Sequence, residues 1–171
     1  LLQRKLLNDD SEEVKDFAQT ISVRIIEQID ALTDIATAFS DFAKMPQGTD
    51  DAVLISDVVL AAAEVFKQQS EVPIYIHNEC PEIWVWGDRG QLIRVYNNLI
   101  KNAIQALQDV QHPQINIQIY TNINAVVVKI ADNGIGIEDD KKSHIFEPNF
   151  TTKSSGSGLG LAMSKSIIEQ S

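Results

Sequence analysis

The chain has 171 residues, enough for one domain and an appended element, and no apolar run in it is long enough to span a bilayer. Its formal net charge of −10 argues against a nucleic-acid groove, which needs a basic stripe, and admits a nucleotide only where a cation and local lysines offset the field. Cys80, the single cysteine, has no companion for a disulfide or a metal site, and no signal or transit peptide is visible.

The opening Leu1-Leu2-Gln3-Arg4-Lys5 reads as the middle of a helical region, so a piece of a longer protein is expected. Asn8-Asp9-Asp10-Ser11 is a helix-start signal. From Glu12 to Lys44 the residues Phe17, Ile21, Ile25, Ile29, Leu32, Ala36, Phe39 and Phe42 step by fours and threes, one stripe on a helix. At 1.5 Å per residue that helix is about 50 Å long, more than one small domain uses, so its stripe is expected to meet a partner helix. Pro46 ends it, and residues 47–52 read as a linker between a helical part, 1–46, and a compact domain, 53–171.

In the compact domain Asp57 is expected to cap a helix through Gln69, with Val58, Ala61, Val65 and Phe66 inward. Strands are expected at Val72–His77 and Ile83–Trp86, with Pro81 in the turn between them. Asp88 caps a helix to about Gln108 that buries Leu92, Val95, Leu99, Ala103 and Ala106. Ile115–Tyr120 and Ala125–Ala131 pair as strands through a hairpin turn at 121–124. A lid helix beginning near His144 and a final helix, Leu159–Ile168, complete an α+β order: a two-layer sandwich with helices over one face of a mixed sheet.

Chemistry concentrates in three places. Asn98 and Asn102 are four apart on the helix after Asp88 and share a face; a carboxamide oxygen is a hard neutral ligand for Mg²⁺, and its NH₂ can bond a phosphate. Asn97 points about 100° away and reads as a solvated bystander. Asp132 follows a strand, where a buried carboxylate can accept from an exocyclic amine while Gly134 and Gly136 turn the chain beneath a base. Asp132-Asn133-Gly134 is also a hairpin signal, an alternative that the broken pattern after Ile135 disfavours. The second cluster, Gly156-Ser157-Gly158-Leu159-Gly160-Leu161, opens the final helix, as an anion cradle does.

Asn98 to Ala103, Asp132 to Gly136, Phe146 to Lys153 and Gly156 to Leu161 resemble, in order and spacing, the N, G1, F and G2 boxes of the GHKL-type ATP-binding domain of sensor histidine kinases. The resemblance covers roughly residues 50–171. The stretch Phe39-Ser40-Asp41-Phe42-Ala43-Lys44-Met45-Pro46 is similar to the second helix of the dimerisation and phosphoacceptor hairpin of nitrogen-regulation type sensor kinases.

The resemblance implies a Bergerat-type fold lacking its C-terminal sheet hairpin, with ATP and Mg²⁺ as cofactors. It makes Asn102 the metal ligand and places Asn98 at the phosphates. Asp132, Gly134 and Gly136 would form the adenine pocket, and Phe146, Phe150, Thr152 and Lys153 the lid. Lys153 would meet the terminal phosphate and act in catalysis with Asn98, and Gly156, Ser157, Gly158, Leu159, Gly160 and Leu161 would wrap the phosphates. It further implies transfer of the γ-phosphate to a histidine upstream of Leu1 and on to a response regulator receiver domain. The parent would be a homodimer through the hairpin, and this chain the cytoplasmic part of a membrane-anchored sensor. His77, His112 and His144 stand in no acceptor-like context. Related gyrase B, chaperone and MutL ATPases carry a glutamate where Asn98 stands, and an amide cannot act as a general base near neutral pH. An ATPase clamp and a nucleotide-free dimerisation module are the alternatives.

Overall fold

A computed structural model describes residues 12–43, 51–123, 125–153 and 156–170. The helix-start signal at 8–11, Pro46 and the first part of the linker, and Asn124 of the hairpin turn lie outside these residues. Two compact units are present: Leu1–Lys44 with Thr151–Ser157, and Met45–Phe150 with Gly158–Ser171.

In the first unit, α1 (Glu12–Ala43) is the expected long helix. Phe17 and Ile21 are half-buried, whereas Ile25, Ile29 and Leu32, farther along the stripe, are more than half exposed. The side chains of Ala36, Phe39 and Phe42 are outside the described set. No helix among the described residues is long and apolar enough to cross a membrane.

The second unit holds β1 (Asp51–Leu54), α2 (Ile55–Gln69), β2 (Ile74–Asn78), β3 (Trp84–Gly87), α3 (Arg89–Ala106), β4 (Ile115–Asn122), β5 (Ala125–Asp132) and α4 (Gly160–Gln170). Strand β1 takes up Asp51 and Ala52, which the sequence suggested were linker. They are legible only through their partner, since β1 pairs antiparallel with β3 from Asp51↔Gly87 to Leu54↔Trp84. Strand β4 is the centre of a three-stranded mixed sheet, parallel to β2 and antiparallel to β5.

The core follows the period-two pattern of β4. Ile115, Ile117 and Ile119 are fully buried, while Asn116 and Gln118 face out. Onto these isoleucines pack Val58, Val59, Ala62 and Ala63 of α2 and Leu92, Tyr96, Ile100 and Ala103 of α3.

Three helix expectations change. The N-cap of α2 is Leu54, with no side-chain cap, and Asp57 lies in the first turn, because β1 feeds the helix directly. Its buried face is Val58, Val59, Ala62 and Ala63; Ala61 and Phe66 are half-buried and Val65 is exposed. On α3, Tyr96 and Ile100 are buried and Leu99 and Ala106 only half-buried, so the buried arc is rotated from the expected stripe. Asp88 caps α3 as expected, its Oδ1 accepting from the Gln91 N–H at 2.9 Å.

Two outcomes follow from this core. Ile117→Ala removes a fully buried side chain and is expected to cost about 2–5 kcal/mol, against about 0.5 kcal/mol or less for Asn116→Ala, read from denaturant midpoints. Burial pushes the Tyr96 hydroxyl from its ordinary 10 up to about 12. The folded state holds that proton more tightly, so this contribution is fully present below pH 10 and is lost as pH rises through about 12. The loss amounts to about 2–3 kcal/mol, and Tyr96→Phe should remove that part of the alkaline slope of the unfolding free energy.

Candidate functional site

The middle of α3 and the start of α4 are joined by a short polar chain. Asn98 Nδ2 donates to Ser164 Oγ at 2.9 Å, and Ser164 Oγ donates to the Gly160 carbonyl at 2.9 Å. A Cβ on Gly160 would lie 2.3 Å from Asn98 Oδ1, so a side chain there would have to displace the carboxamide. Asn98 thus links two helices. Asn102, one turn on, is half-buried. Asn97 is not the solvated bystander its helical position suggested: it is half-buried, and its Oδ1 is enclosed without a hydrogen-bond partner. The cause is the wide buried arc of α3, which covers neighbours of Tyr96.

At the end of β5, Asp132 is exposed, a correction to the buried carboxylate expected from its place after a strand. Pairing with Ile115 puts it at the sheet's edge, where its Oδ1 accepts the Gly134 N–H at 2.9 Å. Gly134 serves close approach to α3: a Cβ there would come within 2.4 Å of the Ala106 carbonyl oxygen, and the Ile135 N–H donates to that same oxygen at 3.2 Å. Gly136 has φ of 72° and open space around it. Asn133, which the sequence did not single out, clips the 112–114 loop by donating to the His112 carbonyl at 3.0 Å and accepting from the Gln114 N–H at 2.8 Å.

In place of the expected lid helix, residues 138–150 form successive turns, with N–H groups of Lys141, His144, Glu147 and Phe150 each donating three residues back. Side-chain contacts at the same spacing, the ion pairs Lys141–Glu138 and Lys142–Asp139 at 2.6 Å and a His144–Glu147 hydrogen bond at 2.9 Å, accompany that tighter winding. The Glu138 hydrogen bond raises the Lys141 ammonium above the ordinary lysine range. Phe150 lies 5.9 Å from the His144 ring, and Lys165 Nζ stands 5.8 Å over the exposed Phe146 ring.

Asn149 and Gly158 both have φ of 67°, and the Asn149 N–H donates to the Gly158 carbonyl at 3.0 Å. A Cβ on Gly158 would stand 2.5 Å from the Asn149 carbonyl carbon. Leu159 and Leu161 are half-buried at the start of α4, where the Leu159 carbonyl accepts from the Met163 N–H.

Within Thr151–Ser157, Thr151 Oγ1 accepts the Lys153 N–H at 3.1 Å and would be 2.6 Å from a Cβ on Gly156. Thr152 and Lys153 are exposed, and Gly156 and Ser157 half-buried. These four residues belong to the unit of α1. The other candidates, Asn98, Asn102, Asp132, Gly134, Gly136, Phe146, Phe150, Gly158, Leu159, Gly160 and Leu161, share the sheet unit.

Among the described residues no group of three or more His, Cys, Asp or Glu is placed to hold a metal. Asn98 and Asn102 on α3 carry hard amide oxygens, the donor type Mg²⁺ takes beside water and phosphate.

The glycines separate by cause, and substitution should show it. Gly134→Ala meets backbone and is expected to lose more stability than Gly136→Ala, whose cost is the left-handed conformation alone, about 1–2 kcal/mol. Chemical unfolding of the two variants checks the order.

The described geometry agrees with comparisons to known proteins. Residues 87–171 match the family model described as histidine kinase-, DNA gyrase B-, and HSP90-like ATPase. Sporulation kinase B of Bacillus subtilis (strain 168) is 28% identical over 169 residues, covering 96% of this chain and 38% of that protein. Sensor histidine kinase ZraS of Escherichia coli (strain K12) is 35% identical over 125 residues, covering 72% and 26%. The chain therefore spans well under half the length of these curated relatives. The solved catalytic domain of histidine kinase ThkA is 27% identical, with a TM-score of 0.64, over 71% of this chain and 80% of that one. Residues 87–171 belong to the histidine kinase-, DNA gyrase B- and HSP90-like ATPase family, and the chain carries the ATP-binding domain of its sensor histidine kinase branch.

Proposed function

We propose that this chain binds ATP with Mg²⁺ and supplies the catalytic part of a sensor histidine kinase. The parent transfers the γ-phosphate to a histidine outside this chain and thence to a response regulator. The observation that carries the reading is the α3–α4 junction, where Asn98 and the glycine-led start of α4 share one polar connection. Asn102 is assigned to the metal, for which α3 offers amide oxygens and no carboxylate cluster. Asp132 is assigned to the adenine amine, with Gly134 and Gly136 shaping the turn beneath it. Lys153, with Thr152, Gly156 and Ser157, is assigned to the phosphates on motif order alone.

The bound ion would neutralise phosphate charge, and the chain's residues have a modest task beside it. Phosphoryl transfer needs positioning and charge balance rather than covalent help from the protein. A carboxamide at position 98 leaves water without a general base, which favours a protein acceptor over hydrolysis. The exposed stripe of α1 is assigned to a partner helix, as in a dimer of the parent, and the chain to the cytoplasmic side of a membrane-anchored sensor. The acidic balance argues against a nucleic-acid partner and leaves room for a nucleotide only with a cation to offset the field.

Calorimetric titration of the chain with ATP should show binding that strengthens with Mg²⁺. Asn102→Ala should remove most of the Mg²⁺ enhancement, and Asp132→Asn should weaken ATP and ADP alike by about tenfold. Binding indifferent to Mg²⁺ and to both substitutions would contradict the assignment.

A further inference from the structure

Ser164 lies on α4, one turn after Gly160, with 6% of its surface exposed. A hydroxyl has one proton to give, and here that proton goes to the Gly160 carbonyl at 2.9 Å. Its lone pairs are what remain for Asn98, so the end of the carboxamide facing it must be the NH₂, which donates at 2.9 Å. The carbonyl end, Oδ1, is thereby turned to the first residue of α4, at the place a Gly160 Cβ would occupy.

We propose that Ser164 is a positioning residue that fixes the polarity of Asn98, so that this side chain holds its acceptor oxygen at the start of α4 and has one Nδ2 proton rather than two left to donate. The proposal rests on the nucleotide-binding reading above and changes one part of it. With one Nδ2 proton committed to Ser164, Asn98 has a single N–H left for a phosphate, while its Oδ1 is of the donor type suited to a cation or its water shell. Without the hydroxyl, both ends of the carboxamide have similar shape, and the orientation would be set by whatever ligand arrives. The energetic scale is that of one buried hydrogen bond, which converts to about three- to tenfold in affinity.

Two arms test this. In the nucleotide-free chain, side-chain amide NMR should show one Asn98 Nδ2 proton exchanging with water much more slowly than that of exposed Asn116, and Ser164→Ala should abolish the difference. In titrations, Ser164→Ala should weaken ATP about three- to tenfold when Mg²⁺ is present and much less when it is chelated. Ser164→Thr, which keeps Oγ, should restore the Mg²⁺-dependent part. Combining Ser164→Ala with Asn98→Ala should add little to Asn98→Ala alone. An Asn98 amide that exchanges freely in the wild-type chain overturns the proposal whatever the variants do. So does an equal loss with and without Mg²⁺, which a merely structural defect would give. Failure of the wild-type chain to bind ATP at all strikes the functional reading instead, and leaves the exchange arm to decide the orientation of Asn98.

Discussion

Two helices come into register at a single atom-scale constraint: the Asn98 carboxamide occupies the space a side chain at position 160 would need. Because Gly160 has none, α4 begins against α3, and Ser164 ties the two with a buried hydroxyl. Much of the site depends on that contact. It sets where the glycine-rich turn before α4 ends, and it brings the polar face of α3 beside a helix N-terminus, where backbone N–H groups favour anions. The opposite face of α3 is anchored by Tyr96 and Ile100 in the isoleucine core of β4, so the polar face stands on a rigid base.

The same economy of space appears at the other end of α3. Gly134 lets the 132–136 turn press against the Ala106 carbonyl, and Ile135 takes that carbonyl as its hydrogen-bond partner. A helix C-terminus leaves carbonyls unsatisfied, and here the site loop satisfies one of them. Gly134 and Gly160 are therefore spacers that set distances between elements, whereas Gly158 and Gly136 supply left-handed backbone. The turns of residues 138–150 follow a different logic. Lys141 and Lys142 pair with carboxylates three residues back along these turns.

Much of this was legible in the sequence because its signals are local. Asp88 as an N-cap, the alternation of Ile115, Ile117 and Ile119, and the long period of α1 each depend on neighbours within a turn or a strand. What escaped notice depends on partners far away in the chain. Strand β1 exists through its pairing with β3, Asn97 is enclosed by the packing of its helix, and Ser164 gains its role from Asn98. A faint signal for Ser164 was present: a hydroxyl four residues after a glycine, on a helix otherwise apolar at that face. The exposed Asp132 shows the opposite error, in which a residue directly after a strand was credited with burial that the sheet's edge does not give.

The central claim is that the chain holds ATP for transfer to a protein rather than to water. Incubating it with γ-labelled ATP, Mg²⁺ and a separate helical hairpin carrying an acceptor histidine tests that claim most directly. The account predicts label on the hairpin in an acid-labile, base-stable bond, with little free phosphate released. Rapid release of phosphate with no label on the hairpin would contradict it.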